Sequence, residues 1–254
     1  MSKTYQAAGY SEIGNGRRLN EDSIGLSDID GGGYGIFILC DCMGGHKRGD
    51  LASELAVRYT RRFIMDRLEL DLDARELRAL LYAALSDANH RVYQFGERSD
   101  RFLGMGTTIV AVILRYDGLL VYGHAGDSRL YSLYRGFHRL TTDHSVAQAF
   151  IERGLLREED LATFPRRNEI TSCIGMGDEM EATLGARHMN PGERLLLCSD
   201  GLHGVCPDRV IERTMKMNDD PTETCHALIR LALDYQSRDN ISCIVVDYHG
   251  STPI

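Results

Sequence analysis

The chain has 254 residues, 43% of them apolar, and a formal net charge of −8. That apolar share suits a large packed domain and excludes a disordered chain. The acidic balance argues against nucleic-acid and membrane-surface partners, which draw on basic patches, and no apolar stretch nears membrane-spanning length.

The opening Met1-Ser2-Lys3-Thr4-Tyr5 lacks the apolar core of a secretory signal. The seven cysteines include Cys40, Cys198 and Cys243 inside or beside apolar runs. They read as buried thiols of a reducing compartment, so a cytoplasmic location is expected. With no Cys-x-x-Cys pair, a zinc site is not indicated.

Glu21-Asp22 follows a Gly/Arg-rich turn, and the run Tyr34 to Cys40 then has the length and branched residues of a strand that ends on Asp41. Leu51, Leu55, Tyr59 and Phe63 recur at helical spacing, as do Leu77, Leu81, Ala84, Ala88, Val92 and Phe95. These two stretches predict an antiparallel helix pair. Thr107 to Arg115 and Leu119 to His124 predict a hairpin about Tyr116-Asp117-Gly118, which rules out a purely parallel sheet. The second strand leads through Ala125-Gly126 to Asp127. From His144 to Asn168 the chain is polar with short helical patches, and a flap is expected there. Arg194 to Cys198 predicts a strand ending at Ser199-Asp200-Gly201, Thr222 to Tyr235 a helix, and Ile241 to Val246 a strand preceded by Asp239. Strands, a helix pair, more strands and a helix make an α+β arrangement in layers.

Aspartates at strand ends are the main chemical signal. Carboxylates meeting at such edges would repel and raise one another's pKa values, and a divalent cation relieves both problems. An all-oxygen donor set suits Mg²⁺ or Mn²⁺. Asp-Gly at a strand end is also a common turn, and spacing alone does not bring the aspartates together.

The motifs resemble, in order, those of the type 2C-like (PPM) protein phosphatases. Arg17-Arg18-Leu19-Asn20-Glu21-Asp22 matches Arg-x-x-Asn-Glu-Asp, and Asp41-Cys42-Met43-Gly44-Gly45 resembles Asp-Gly-Met-Gly-Gly. Gly104-Met105-Gly106-Thr107-Thr108, Gly126-Asp127-Ser128-Arg129, Asp143-His144-Ser145, Ser199-Asp200-Gly201 and Asp239-Asn240 complete the set. The resemblance implies a four-layer αββα sandwich of two antiparallel sheets flanked by antiparallel helix pairs. One catalytic domain would span 1–254, with the flap at about 144–168. It implies two or three Mn²⁺ or Mg²⁺ ions held by Asp41, Asp200 and Asp239, with Asp41 bridging. Glu21 and Asp22 would bind directly or through water, the Cys42 carbonyl would be a further ligand, and Asp127 with Asp200 would form a weaker third site. Arg17 would grip the substrate phosphate, and a water between two ions would attack phosphorus in line. Phosphoproteins made by a Ser/Thr kinase are the expected substrates, and the expected state is a monomer.

Two positions depart from the family pattern. Cys42 replaces a glycine, and Phe164 replaces the histidine of His-Pro-x-Arg-Asn. The thiol at 42 would be neutral, would bind a soft metal, or would make activity redox-sensitive. Cys42 to Arg48 also forms a Cys-x5-Arg loop, as in thiolate phosphatases, although the preceding Asp41 disfavours a thiolate. A catalytically weakened phosphoprotein-binding domain is the third reading. His46, His124 and His144 are expected to be scaffold residues, and Arg18 and Arg48 are candidate extra phosphate contacts.

Overall fold

The computed structural model describes residues 4–29, 33–42, 49–69 and 71–250. Met43 to Arg48, and with them His46 and the Arg48 end of the Cys-x5-Arg loop, lie outside the described residues. Among the described residues, β1 (Tyr5–Glu12), β10 (Ile241–Tyr248), β9 (Glu193–Cys198), β6 (Arg129–Leu133) and β7 (Phe137–Arg139) lie side by side in that order as one sheet. A second sheet has the order β2 (Ser23–Ile29), β3 (Tyr34–Cys40), β4 (Ile109–Arg115), β5 (Leu119–Ala125) and β8 (Thr183–His188). Every pairing within them is antiparallel. Helices α1 (Gly49–Met65) and α2 (Ala74–Gly96) cover the second sheet, while α5 (Asp208–Met215) and α6 (Pro221–Asp234) cover the first. The architecture is the expected four-layer sandwich.

Strand alternation assigns each residue its layer. In β3, Ile36, Ile38 and Cys40 pack against α1 and α2, and Phe37 and Leu39 point into the layer between the sheets. In β9 and β10, Leu195, Leu197, Ile244 and Val246 fill that same layer, whereas Leu196, Cys198, Cys243 and Val245 meet α5 and α6. All seven residues of β3 are buried, because helices cover one face and the other sheet covers the opposite one.

The helix ends follow their sequence signals. Asp73 caps α2 in a capping box with Glu76, and Asp220 caps α6 with Pro221 in the first turn. Gly118, at φ +90°, closes the hairpin between β4 and β5. The predicted strand from Thr107 starts two residues later, and Thr107 instead makes an isolated bridge to Cys42. Strands β1, β2 and β8 are not predicted from sequence. They carry few buried residues, and β1, β2 and β8 are sheet edges, where one-sided packing weakens the apolar pattern. Residues 144–170 leave the sheets as an excursion containing α3 (Val146–Glu152) and a 3₁₀ turn (Glu158–Thr163), closed at its base by a Ser145–Ile170 bridge.

Candidate metal centre

The parity that sends Leu39 between the sheets sends Asp41 there too, one step past the end of β3. Asp22 shares the parity of Ile24 and Leu26 in β2, and Ser242 that of Ile244 in β10. Three polar side chains thus gather at one end of the layer between the sheets. Ser242 Oγ donates to Asp22 Oδ2 at 2.6 Å. Asp22 is 8% exposed, and its Oδ1 is buried without a hydrogen-bond partner.

Asp41 is held from behind. Its N–H donates to Thr108 Oγ1 at 3.0 Å, and its carbonyl accepts from Thr108 N and Thr107 Oγ1, each at 2.8 Å. Thr107 and Thr108 therefore fix the backbone from which the carboxylate projects. Asp200 opens the short α4 (Asp200–His203) and donates its N–H to Asp41 Oδ2 at 3.3 Å. Asp127, in the turn after β5, offers its carbonyl to buried His203 Nε2 at 3.1 Å.

The electrostatics follow from crowding like charges at a buried edge. Burial first, then Asp22, Asp200 and Asp127, hold the Asp41 carboxyl well above the usual range. Burial first, then Asp127 and Asp239, push Asp200 to about 8, and burial pushes Asp22 and Asp127 to about 6. Asp41 and Asp22 lie close enough for each to act on the other's titration. Among the described residues, no three His, Cys, Asp or Glu side chains close on one point as a ready-made metal cage. The contacts run along a chain, Asp22 to Asp41 to Asp200.

Arg17 and Asp239 sit at the rim, each about one-third exposed, and their side chains pair at 2.8 Å. The expected phosphate-gripping arginine thus rests on an expected metal ligand. Glu21 belongs to the other face of the second sheet, where its carbonyl accepts from Ser53 Oγ of α1 at 2.6 Å. Cys42, two residues on from Cys40, also turns toward α1.

Sequence reasoning missed the organisers of this end. Asn240 donates to the carbonyls of Ile13 and Leu19 and accepts from Glu21 N, so it ties the Arg17–Asp22 segment to β10. Gly201 meets the Asn240 carbonyl so closely that an added Cβ would collide with it. The Asp-Asn pair before a strand was the available signal for Asn240. Ser242 carried none, because its partner lies 220 residues away in the chain.

The histidines behave as scaffold. His124 Nε2 donates to Thr142 O at 2.8 Å, and its ring stacks on that of His144 with centroids 4.5 Å apart. His144 accepts from Gly126 N at 3.4 Å and donates to Thr183 Oγ1 at 2.9 Å. Phe164 packs against Phe150, ring centroids 5.5 Å apart, within the 144–170 excursion. The thiolate reading is not supported by this surrounding. Burial, then Glu21 and Asp22, push the Cys42 thiol to about 12, the reverse of what a cysteine nucleophile needs.

The protein phosphatase 2C family model matches residues 8–244. The serine/threonine phosphatase stp of Listeria monocytogenes is 32% identical over 232 residues, covering 91% of each chain. Protein phosphatase PhpP of Streptococcus pneumoniae is 32% identical over 238 residues, covering 93% of this chain and 94% of its own. The solved catalytic domain of the serine/threonine protein phosphatase PstP, in complex with 2 manganese ions, superposes with a TM-score of 0.82 at 30% identity, covering 96% of this chain and 97% of that one. A phosphatase motif set in order, a four-layer sandwich and a buried acidic end agree with these likenesses, and the chain belongs to the protein phosphatase 2C family.

Proposed function

We infer that the acidic end of the inter-sheet layer is the divalent-cation site of a phosphatase that hydrolyses phosphoserine and phosphothreonine in proteins. The activity is metal-dependent. Asp41, Asp200 and Asp239 would be the principal ligands. Glu21, Asp22 and the Cys42 carbonyl would complete the set, and Asp127 with Asp200 would hold a further ion. The observation that carries this reading is the chain Asp22–Asp41–Asp200, its first two members buried, with Asp22 Oδ1 lacking a hydrogen-bond partner. Such a chain needs a proton or a cation, and its oxygen donors fit Mn²⁺ or Mg²⁺.

Divalent cations bound there supply Lewis-acid stabilisation of phosphoryl oxygens and an acidified water. The protein's own share is positioning and charge. The threonine-held backbone fixes the Asp41 carboxylate, and Asn240 holds the segment that carries Arg17, Glu21 and Asp22. An incoming phosphate dianion competes with Asp239 for Arg17, whose planar fork matches two phosphate oxygens. The 144–168 flap, tied at His144 to Gly126, would border a bound peptide.

The net charge of −8 argues against nucleic acid and anionic membranes as partners. A Ser/Thr kinase must supply the phosphoprotein substrates. The seven cysteines are thiols, most of them buried, which supports work in the cytoplasm. The test is a phosphopeptide assay with and without Mn²⁺, on the wild type and Asp200→Asn. Chelation should abolish turnover, and Asp200→Asn should lose about a hundredfold or more. Metal-independent turnover that survives Asp200→Asn would sink the reading.

A further inference from the structure

We propose that the open edge of β8, with the groove between it and α2, docks an extended acidic segment of a partner protein as an added strand. This surface is separate from the cation site and does not depend on it.

The register fixes which backbone groups are free. Leu119 stands opposite His188, and Met189 N–H donates to Gly118 O at 2.8 Å. In an antiparallel pair, hydrogen-bonded positions recur at every second residue. Gly185, Arg187 and Met189 therefore bond to β5, while the N–H and C=O groups of Leu184, Ala186 and His188 point away from it. β8 is the last strand of its sheet, and among the described residues nothing bonds to those outward groups. Such a row of unpaired groups is a template for another strand.

The side chains beside that edge give the occupant its chemistry. Leu184 packs against the helix-facing core, so alternation puts Ala186 and His188 on the same side. Arg187 turns the other way, to Ser132 and Glu193. From one face of α2, Arg75, Arg78, Ala79 and Tyr82 line a groove of about 420 Å³ together with Leu184. Arg75 and Arg78 are exposed and make no ion pair among the described residues. The acids beside them, Asp73 and Glu76, are occupied in the capping box. Tyr82, 49% exposed, adds an apolar ring.

α2 runs back along β8. Asn89 bonds to the carbonyls of Gly177 and Asp178, and a Cβ added to Gly123 would meet Leu81, Leu85 and Leu184 together. The two arginines thus lie toward the His188 end, whereas Glu179 and Glu181 precede the other end. The groove is positive at one end only, in a chain of net charge −8. It fits an extended segment with carboxylates over Arg75 and Arg78 and an apolar residue over Tyr82 and Leu184. Alternate strand residues are about 6.8 Å apart and three helical residues rise about 4.5 Å, a difference that long arginine arms bridge.

The probe is a short labelled peptide of alternating glutamate and valine, with its lysine counterpart as control, added to the full-length protein. Fluorescence anisotropy and amide hydrogen exchange follow binding. The glutamate peptide should bind, more weakly as salt rises, and the lysine peptide should not. The Leu184, Ala186 and His188 amides should gain protection, while those of Gly185 and Arg187, already bonded to β5, should not change. Joint Arg75→Glu and Arg78→Glu substitution should weaken binding about tenfold or more. Ala186→Pro removes one outward N–H and leaves the bonds to β5 in place, so it should melt as a folded protein and weaken binding about fivefold. No binding of the glutamate peptide, equal binding of both peptides, or wild-type binding by both variants would overturn the proposal. The exchange pattern needs no variant, and protection appearing elsewhere than at the three outward amides would overturn it too. So would a wild-type dimer in sedimentation that Ala186→Pro dissociates, because the edge would then belong to a second copy of the chain.

Discussion

Asn240 is 3% exposed and uses one amide to satisfy three backbone groups, the carbonyls of Ile13 and Leu19 and the N–H of Glu21. Asn240→Ala strands those groups, so it should cost about 1–3 kcal/mol in urea unfolding. It should also weaken cation binding, because the segment it anchors carries Arg17, Glu21 and Asp22. Asp200 makes the opposite case. Its folded pKa, about 8, lies above the ordinary value of 3.8. In the cation-free protein its contribution is therefore present below the ordinary value and is lost as pH rises through about 8. Asp200→Asn removes that loss. The chelated variant at pH 8 should melt a few degrees above the chelated wild type while being inactive. A lower melting point would show that crowding at this carboxylate is not what strains the empty site.

At the scale of elements, the joint between the sheets and the 144–170 excursion is built from neutral histidine. His144 accepts at one ring nitrogen from Gly126 and donates at the other to Thr183, which fixes one neutral tautomer. Burial first, then His124, lower its pKa to about 4, against weaker pulls upward from Asp143 and Glu152. Buried His203 is lowered to about 3 for the same leading reason. A depressed histidine binds fewer protons folded than unfolded, so stability rises with pH across the window. Acidification from about 6.5 toward about 4 should therefore loosen the base of the excursion. The check is hydrogen exchange of the Val146, Thr171 and His144 amides in the wild type and in His144→Asn. The wild type should lose protection over that window, and the variant should show a flatter pH response. Equal slopes would remove His144 as the cause.

For the whole molecule, the two sheets enclose a largely apolar layer with the cation site at one end. A cation bound only by the folded chain stabilises all four layers through linkage. At a hundredfold excess over its dissociation constant, Mn²⁺ should add about 2.7 kcal/mol, or roughly 5–10 °C in melting temperature. Differential scanning calorimetry with Mn²⁺ and with chelator measures it. No shift would mean that the acidic end does not bind cations in the folded state.

The motif order from Arg17 to Asp239, the apolar runs of β3 and β9, the hairpin at Gly118 and the two long helices were legible in the sequence, because each is a local pattern in composition or period. So was the likelihood of carboxylates at strand ends. The edge strands were not legible, since β1 and β8 are only half covered and their patterns are diluted by Gly, Ser and charged residues. Nor were the partners Ser242 for Asp22 and Asn240 for Glu21, which meet only when strands distant in the chain stack in register. The sequence by itself determined which side chains carry the chemistry. The tertiary structure alone decided which face each one takes, because alternation along a strand has meaning only once the layers on either side are in place.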